Sequence, residues 1–112
     1  MTDAAAPRTP RPTTIAALCH DRAESQAARA GATPAHLRWV ESMLGHIALA
    51  GPLYSDDGRR MIGSLYVFRT GSLEQARAWL ETDPFYAAGL WEKIELRPFL
   101  PAAGDLVGGT TW

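Results

Sequence analysis

Proton transfer needs a group that can take up and release a proton, and this chain of 112 residues has only three histidines. One of them, His36, lies in ATPAHLRWVE, at what reads as a helix start. Thr33 has the character of an N-cap and Pro34 suits the first helical position. On that reading His36 is the third helical residue. The positive end of the helix dipole would then disfavour an imidazolium and leave a neutral ring, which is a usable base. A histidine at a helix start is more often simply half-exposed. The second position is Asp83, in ETDPFYAAGLWE. Asp followed by Pro, with Gly89 beyond, has the form of a capped helical turn. A cap uses one carboxylate oxygen and leaves the other free to orient a histidine, so the two roles are compatible.

Other residues carry weaker signals. Ser64 follows Gly63 at the start of a strand, but no G-x-S-x-G elbow surrounds it. Arg29 reads as a solvated charge that could bind a carboxylate. Cys19 is the single cysteine, which excludes an internal disulfide and fits a reducing, cytoplasmic setting. It reads as a small buried hydrophobe rather than a reactive thiol. His20 and His46 have no metal-ligand spacing with each other or with His36, and Cys19 and His20 point to opposite faces of a strand, so no metal is expected. There is neither a P-loop nor a G-x-G-x-x-G, and no organic cofactor is expected.

Bulk composition narrows the partners. Hydrophobic residues make up 46% and charged residues 21%, with a net charge of −1. That is ordinary globular composition with no basic patch, so nucleic acid is not expected. No apolar run approaches a membrane span, and the N-terminus lacks the apolar stretch of a secretory signal.

The elements that must position these residues read as β-α-β-β-α-β. Residues 1–12 form a Pro/Ala/Arg arm expected to be disordered. TTIAALC, from Thr13, is a strand with Ile15, Ala17 and Cys19 on one face. The segment HDRAESQAARAGA reads as loop or a marginal helical turn. A helix then runs from Thr33 to Gly45, with Leu37, Val40 and Leu44 as its stripe. HIALAGPL is a strand stopped by Gly51-Pro52, and Asp57-Gly58 marks a turn. GSLYVFR is the clearest strand. GSLEQARAWLET is the clearest helix, with Ser72 and Gln75 as a capping box and Leu73, Ala76 and Leu80 as its stripe. Asp83-Pro84 breaks it, PFYAAG is one short turn, and LWEKIELRPF is a last strand. Residues 100–112 are a glycine-containing tail, expected to be disordered, although Trp112 could fold back over a cleft or a partner.

This order is the split βαβ, ferredoxin-like pattern: α+β, with both helices on one face of an antiparallel four-stranded sheet. The other face needs cover, and a second copy of the chain is the usual cover for a domain this small.

The chain also resembles the YciI-like, YCII-related family between about Thr13 and Phe99. The resemblance is carried by PAHL, ALAGPL, the Gly63-Ser64 pair, SLEQARAW, DPFYAAGLWE and ELRPF, in this order. It implies a ferredoxin-like protomer that pairs into a dimeric α+β barrel. It implies a His-Asp dyad at His36 and Asp83, with Ser64 near the sheet and Gly51-Pro52 lining the cleft. One relative is similar to a dehydrochlorinase acting on a chlorinated hydroxyquinol. The chain departs from some relatives at Thr33, where they carry Arg before the PAHL proline.

Two functions follow as expectations. One is a cofactor-free acid–base enzyme acting on a small metabolite by proton transfer, isomerisation or elimination. The other is a non-catalytic dimeric module that binds a small ligand in the same cleft. A haem- or oxygen-using reaction rests on analogy with the wider superfamily alone.

Overall fold

The computed structural model describes residues 11–111. Four strands form one antiparallel sheet: β1 (Thr14–Asp21), β2 (Ile47–Tyr54), β3 (Met61–Phe68) and β4 (Trp91–Phe99), in the order β2-β3-β1-β4. Helix α1 (Gln26–Ser42) links β1 to β2; α2 (Leu73–Leu80) and the short α3 (Pro84–Ala87) link β3 to β4. This is the expected ferredoxin-like α+β architecture.

Strand pairing sets which residues share a face. Ile15 lies opposite Phe68, Ala17 opposite Tyr66, and Cys19 opposite Ser64. Directly opposed residues of an antiparallel pair project to the same side. Ile15, Ala17, Cys19, Tyr66 and Phe68 therefore form one apolar floor, on which Ala76 and Leu80 of α2 pack, all of them buried. Fully burying a leucine stabilises by roughly 1.5–3 kcal/mol, which makes Leu80 a main anchor of α2. The opposite face carries Ala16, Leu18, Leu65, Val67 and Leu49, with a His20–Glu95 pair at 2.9 Å.

Five expectations change. Helix α1 begins at Gln26, not at Thr33, and Pro34 lies inside it. The alanine-rich run before Thr33 has high helix propensity and carries the helix through the proline. Thr33 is no cap: its hydroxyl donates back to the Arg29 carbonyl at 2.6 Å, within the helix. Gly51-Pro52 do not stop β2, which runs on to Tyr54. An edge strand tolerates a proline that a central one would not. In α2, Ser72 Oγ accepts from the Gln75 amide at 3.0 Å, but the Ser72 amide donates to Thr70 Oγ1, so only half the capping box forms. Leu73, Leu37 and Leu44 are exposed rather than core. The tail is partly ordered: Ala103–Gly104 (β5) pairs with Gly109–Thr110 (β6). The arm as far as residue 10, and Trp112, lie outside the described residues.

No described helix is long and apolar enough to cross a membrane. One glycine is dictated by close approach. A Cβ on Gly63 would lie 2.4 Å from the Cys19 carbonyl oxygen, a backbone atom that cannot swing aside. We predict that Gly63→Ala destabilises by about 1–3 kcal/mol, as overpacking does. Urea unfolding should show a lowered midpoint at unchanged slope.

Candidate functional site

The histidine and the carboxylate meet. Helix α1 brings His36 about three turns from its start, while Asp83 caps α3. His36 Nδ1 lies 2.9 Å from Asp83 Oδ1 and 3.0 Å from Oδ2. The dipole argument for a neutral ring lapses with the revised helix start. A different constraint replaces it, because a carboxylate facing Nδ1 sets that nitrogen as the donor and leaves Nε2 as the ring's other edge. His36 is mostly enclosed, at 14% side-chain exposure, and Asp83 is fully buried. The His36 ring stacks on Phe85, with centroids 3.9 Å apart and planes 11° apart.

Asp83 accepts two more hydrogen bonds. The Phe85 amide donates to Oδ1 at 2.9 Å, which is the cap read from the sequence. The Tyr66 hydroxyl donates to Oδ2 at 2.5 Å. Burial, followed by the nearby Asp83 charge and the hydrogen bond to it, pushes the Tyr66 phenol far above its ordinary range. The phenol therefore stays a donor.

Arg29 is not a solvated charge. It is buried, and its guanidinium forms a two-pronged pair with Asp21, Nε to Oδ2 at 2.9 Å and Nη2 to Oδ1 at 3.0 Å. Nη2 also donates to the Gly63 carbonyl at 2.9 Å and to Ser64 Oγ at 3.2 Å. Nη1 reaches only the Met61 sulfur, at 3.8 Å, a weak acceptor. The periodicity of the sequence could not find this, because the segment holding Arg29 did not read as a helix.

These groups surround a cleft of about 250 Å³ between α1 and the β2–β3 half of the sheet. His36, Arg29, Ser64, Gly51 and Pro52 all line it, so every binding residue expected from the sequence stands on one wall or another. Asp83 sits behind His36. Tyr66, Phe85, Met61, Leu37 and Val40, with Thr33 and Ala50, complete the lining, and the sequence does not single them out as site residues. Tyr66 was legible in principle, since strand alternation puts it on the same face as Ser64. The walls are mainly apolar, and the polar atoms are few and convergent, as in small-molecule sites. Among the described residues no three His, Cys, Asp or Glu side chains cluster as metal ligands.

Residues 13–100 match the family model of the YCII-related domain. The chain belongs to this family. It is 34% identical over 86 residues to Protein YciI of Escherichia coli O6:H1, covering 70% of this chain and 88% of that one, and equally to Protein YciI of Shigella flexneri. Among solved structures it is similar to a 5-chloro-2-hydroxyhydroquinone dehydrochlorinase from Burkholderia phenoliruptrix, in complex with 2,5-dihydroxybenzoquinone. That match has a TM-score of 0.71 at 25% identity and covers 82% of this chain and 96% of the other. The fold is that of the dimeric α+β barrel superfamily.

Cys19 lies under this site and is fully buried. Burial above all, with Asp83 and Asp21 adding to it, pushes its thiol up from 9.0 to about 12. A raised value in the folded state means the fold keeps a proton that the unfolded chain releases. The stability tied to this proton is complete below pH 9 and is lost as pH rises towards 12. We predict an unfolding midpoint in urea that declines across this alkaline window, with a shallower decline in Cys19→Ala.

Proposed function

We propose that the protein is a small-molecule acid–base enzyme and that His36 is its proton-transfer group. The observation that carries this reading is the bond from His36 Nδ1 to a buried carboxylate, which leaves Nε2 as the ring nitrogen available at an apolar cleft. Asp83 orients the imidazole and stabilises its charged form, the part played by the carboxylate in a catalytic triad. Arg29 Nη1 and the Ser64 hydroxyl supply hydrogen-bond donors on the sheet side, suited to a carbonyl or phenolate oxygen. Gly51 and Pro52 form the wall beside β3.

In an elimination, Nε2 takes a proton from the substrate. The electron pair of the broken bond becomes a new π bond, and the leaving group departs with its own pair. Loss of HCl from a chlorinated hydroxyquinol fits this scheme in its keto tautomer, where the chlorine-bearing carbon is tetrahedral. The pair of the broken O–H bond becomes a C=O bond, the ring pair moves to a new C=C bond, and chloride leaves with its own pair. A dehydrochlorinase among the similar structures supports this reading. Isomerisation uses the same base, with the proton returned at a second atom. The cleft volume suits a single ring with a few polar substituents.

The test is turnover of a panel of chlorinated hydroxyquinols, followed by chloride release and quinone absorbance. General acid–base catalysis contributes roughly 10²–10⁴-fold. His36→Ala should lower kcat by about that factor while the protein remains folded. Ligand that binds and is returned unchanged by the parent chain, with equal affinity in His36→Gln, would instead mark a binding module.

We further propose that the chain works as a homodimer in the cytoplasm. The support is the sheet face opposite the helices, where Leu18, Leu65 and Leu49 gather and Leu49 is 42% exposed. Sedimentation equilibrium at micromolar concentration should give twice the chain mass, and Leu49→Glu should reduce it towards one.

A further inference from the structure

We propose that Tyr66 is a positioning residue of this site, acting on His36 through Asp83. The inference rests on the reading of His36 and Asp83 as a working pair. A carboxylate flanked by one histidine can rotate about its last bond and present either oxygen. Here Oδ1 is held by the Phe85 amide and Oδ2 by the Tyr66 hydroxyl. With both oxygens tied from outside the pair, the carboxylate plane has one setting, and both oxygens face His36 Nδ1 at nearly equal distance. Tyr66 is itself fixed, stacked on Phe68 at 5.5 Å and edge-on to Trp39 and Trp91 at about 6 Å. Its hydroxyl is not needed for that packing, because a phenylalanine ring would fill the same space. The hydroxyl is therefore explained by its hydrogen bond to Asp83. It has a second effect besides geometry. A neutral donor draws charge from Oδ2 and moderates the pull of Asp83 on a protonated His36.

That second effect gives the test a sign. The charged and titratable groups around His36 are Asp83 at the start of α3, Tyr66 on β3, Arg29 on its own helix, and Cys19 and Asp21 on β1 behind them. Tyr66→Phe changes none of these charges and removes one oxygen atom. Asp83→Asn removes the charge itself. The experiment is an NMR pH titration of the three histidines in the parent chain and in both variants, with no ligand added. We expect the His36 midpoint to rise by roughly half a pH unit in Tyr66→Phe, a fraction of what one hydrogen bond to a carboxylate is worth, and to fall in Asp83→Asn. A midpoint that falls or stays in Tyr66→Phe, while Asp83→Asn still lowers it, overturns the proposal and leaves the pair standing. An unchanged midpoint in Asp83→Asn removes the pair and the proposal together.

A measurement on the parent chain keeps the proposal testable if Tyr66→Phe does not fold. The chain has three tyrosines, and Tyr54 and Tyr86 are exposed. With ring-labelled tyrosine, one of the three Cζ signals should stay constant through pH 11, where burial and the Asp83 carboxylate keep the Tyr66 phenol protonated. A set in which all three signals shift by pH 11 would mean that the Tyr66 hydroxyl is not bound to Asp83, and would overturn the proposal.

Discussion

The buried carboxylate of Asp83 is the constraint around which this molecule is arranged. Burying a carboxylate is costly unless its lone pairs are satisfied. Three donors meet it, from α1, β3 and the first turn of α3. Each donor also fixes its own element: His36 faces α1 inward, Tyr66 sets the height of the helix layer above the sheet, and the Phe85 amide starts α3. Phe85 then stacks under the His36 ring. A residue that would serve as an ordinary helix cap thus joins two helices and the sheet.

A second polar knot lies at the other end of the cleft, where Arg29 pairs with Asp21 and reaches the Gly63 carbonyl and Ser64. Buried ion pairs of this kind roughly balance desolvation against attraction, and losing one partner is far costlier than never having had either. Their value here is placement. The guanidinium crosses from helix to sheet and closes the end of the cleft between α1 and β3. With one knot behind His36 and one behind Ser64, the apolar lining between them is held at a fixed width.

Much of this was legible in the residues before the fold was known. The alternation of TTIAALC sorts Ile15, Ala17 and Cys19 onto one face, which is the buried one, although the sequence alone leaves both faces open to cover; GSLYVFR reads as a strand and is one. Asp83-Pro84 gave the cap of α3, because proline leaves few local alternatives. The start of α1 was not legible. Thr33-Pro34 imitates a helix start so closely that local signals favoured it, whereas the true start at Gln26 has no side-chain cap. This one shift explains the other misreadings nearby. In a loop or marginal turn Arg29 reads as a solvated charge, and in a helix starting at Thr33 Leu37 reads as part of the apolar stripe; the longer helix buries Arg29 and sets Leu37 at the border of the cleft. The meeting of His36 with Asp83 was not contained in any local pattern, and only the family resemblance anticipated it.

The three donors to Asp83 are separated from it by 2, 17 and 47 residues along the chain. The entropy lost in closing a loop grows with its length, so these bonds carry unequal costs of assembly. The Phe85 bond needs only one turn of chain. The Tyr66 bond needs the return of α2 onto its strand. The His36 bond closes the longest loop, which holds the end of α1, the β2–β3 hairpin and α2. The histidine contact is therefore the most cooperative of the three, and partial opening anywhere within that loop releases it first. The same geometry that gives the site its polarity makes its integrity a reporter of the whole segment between α1 and α3.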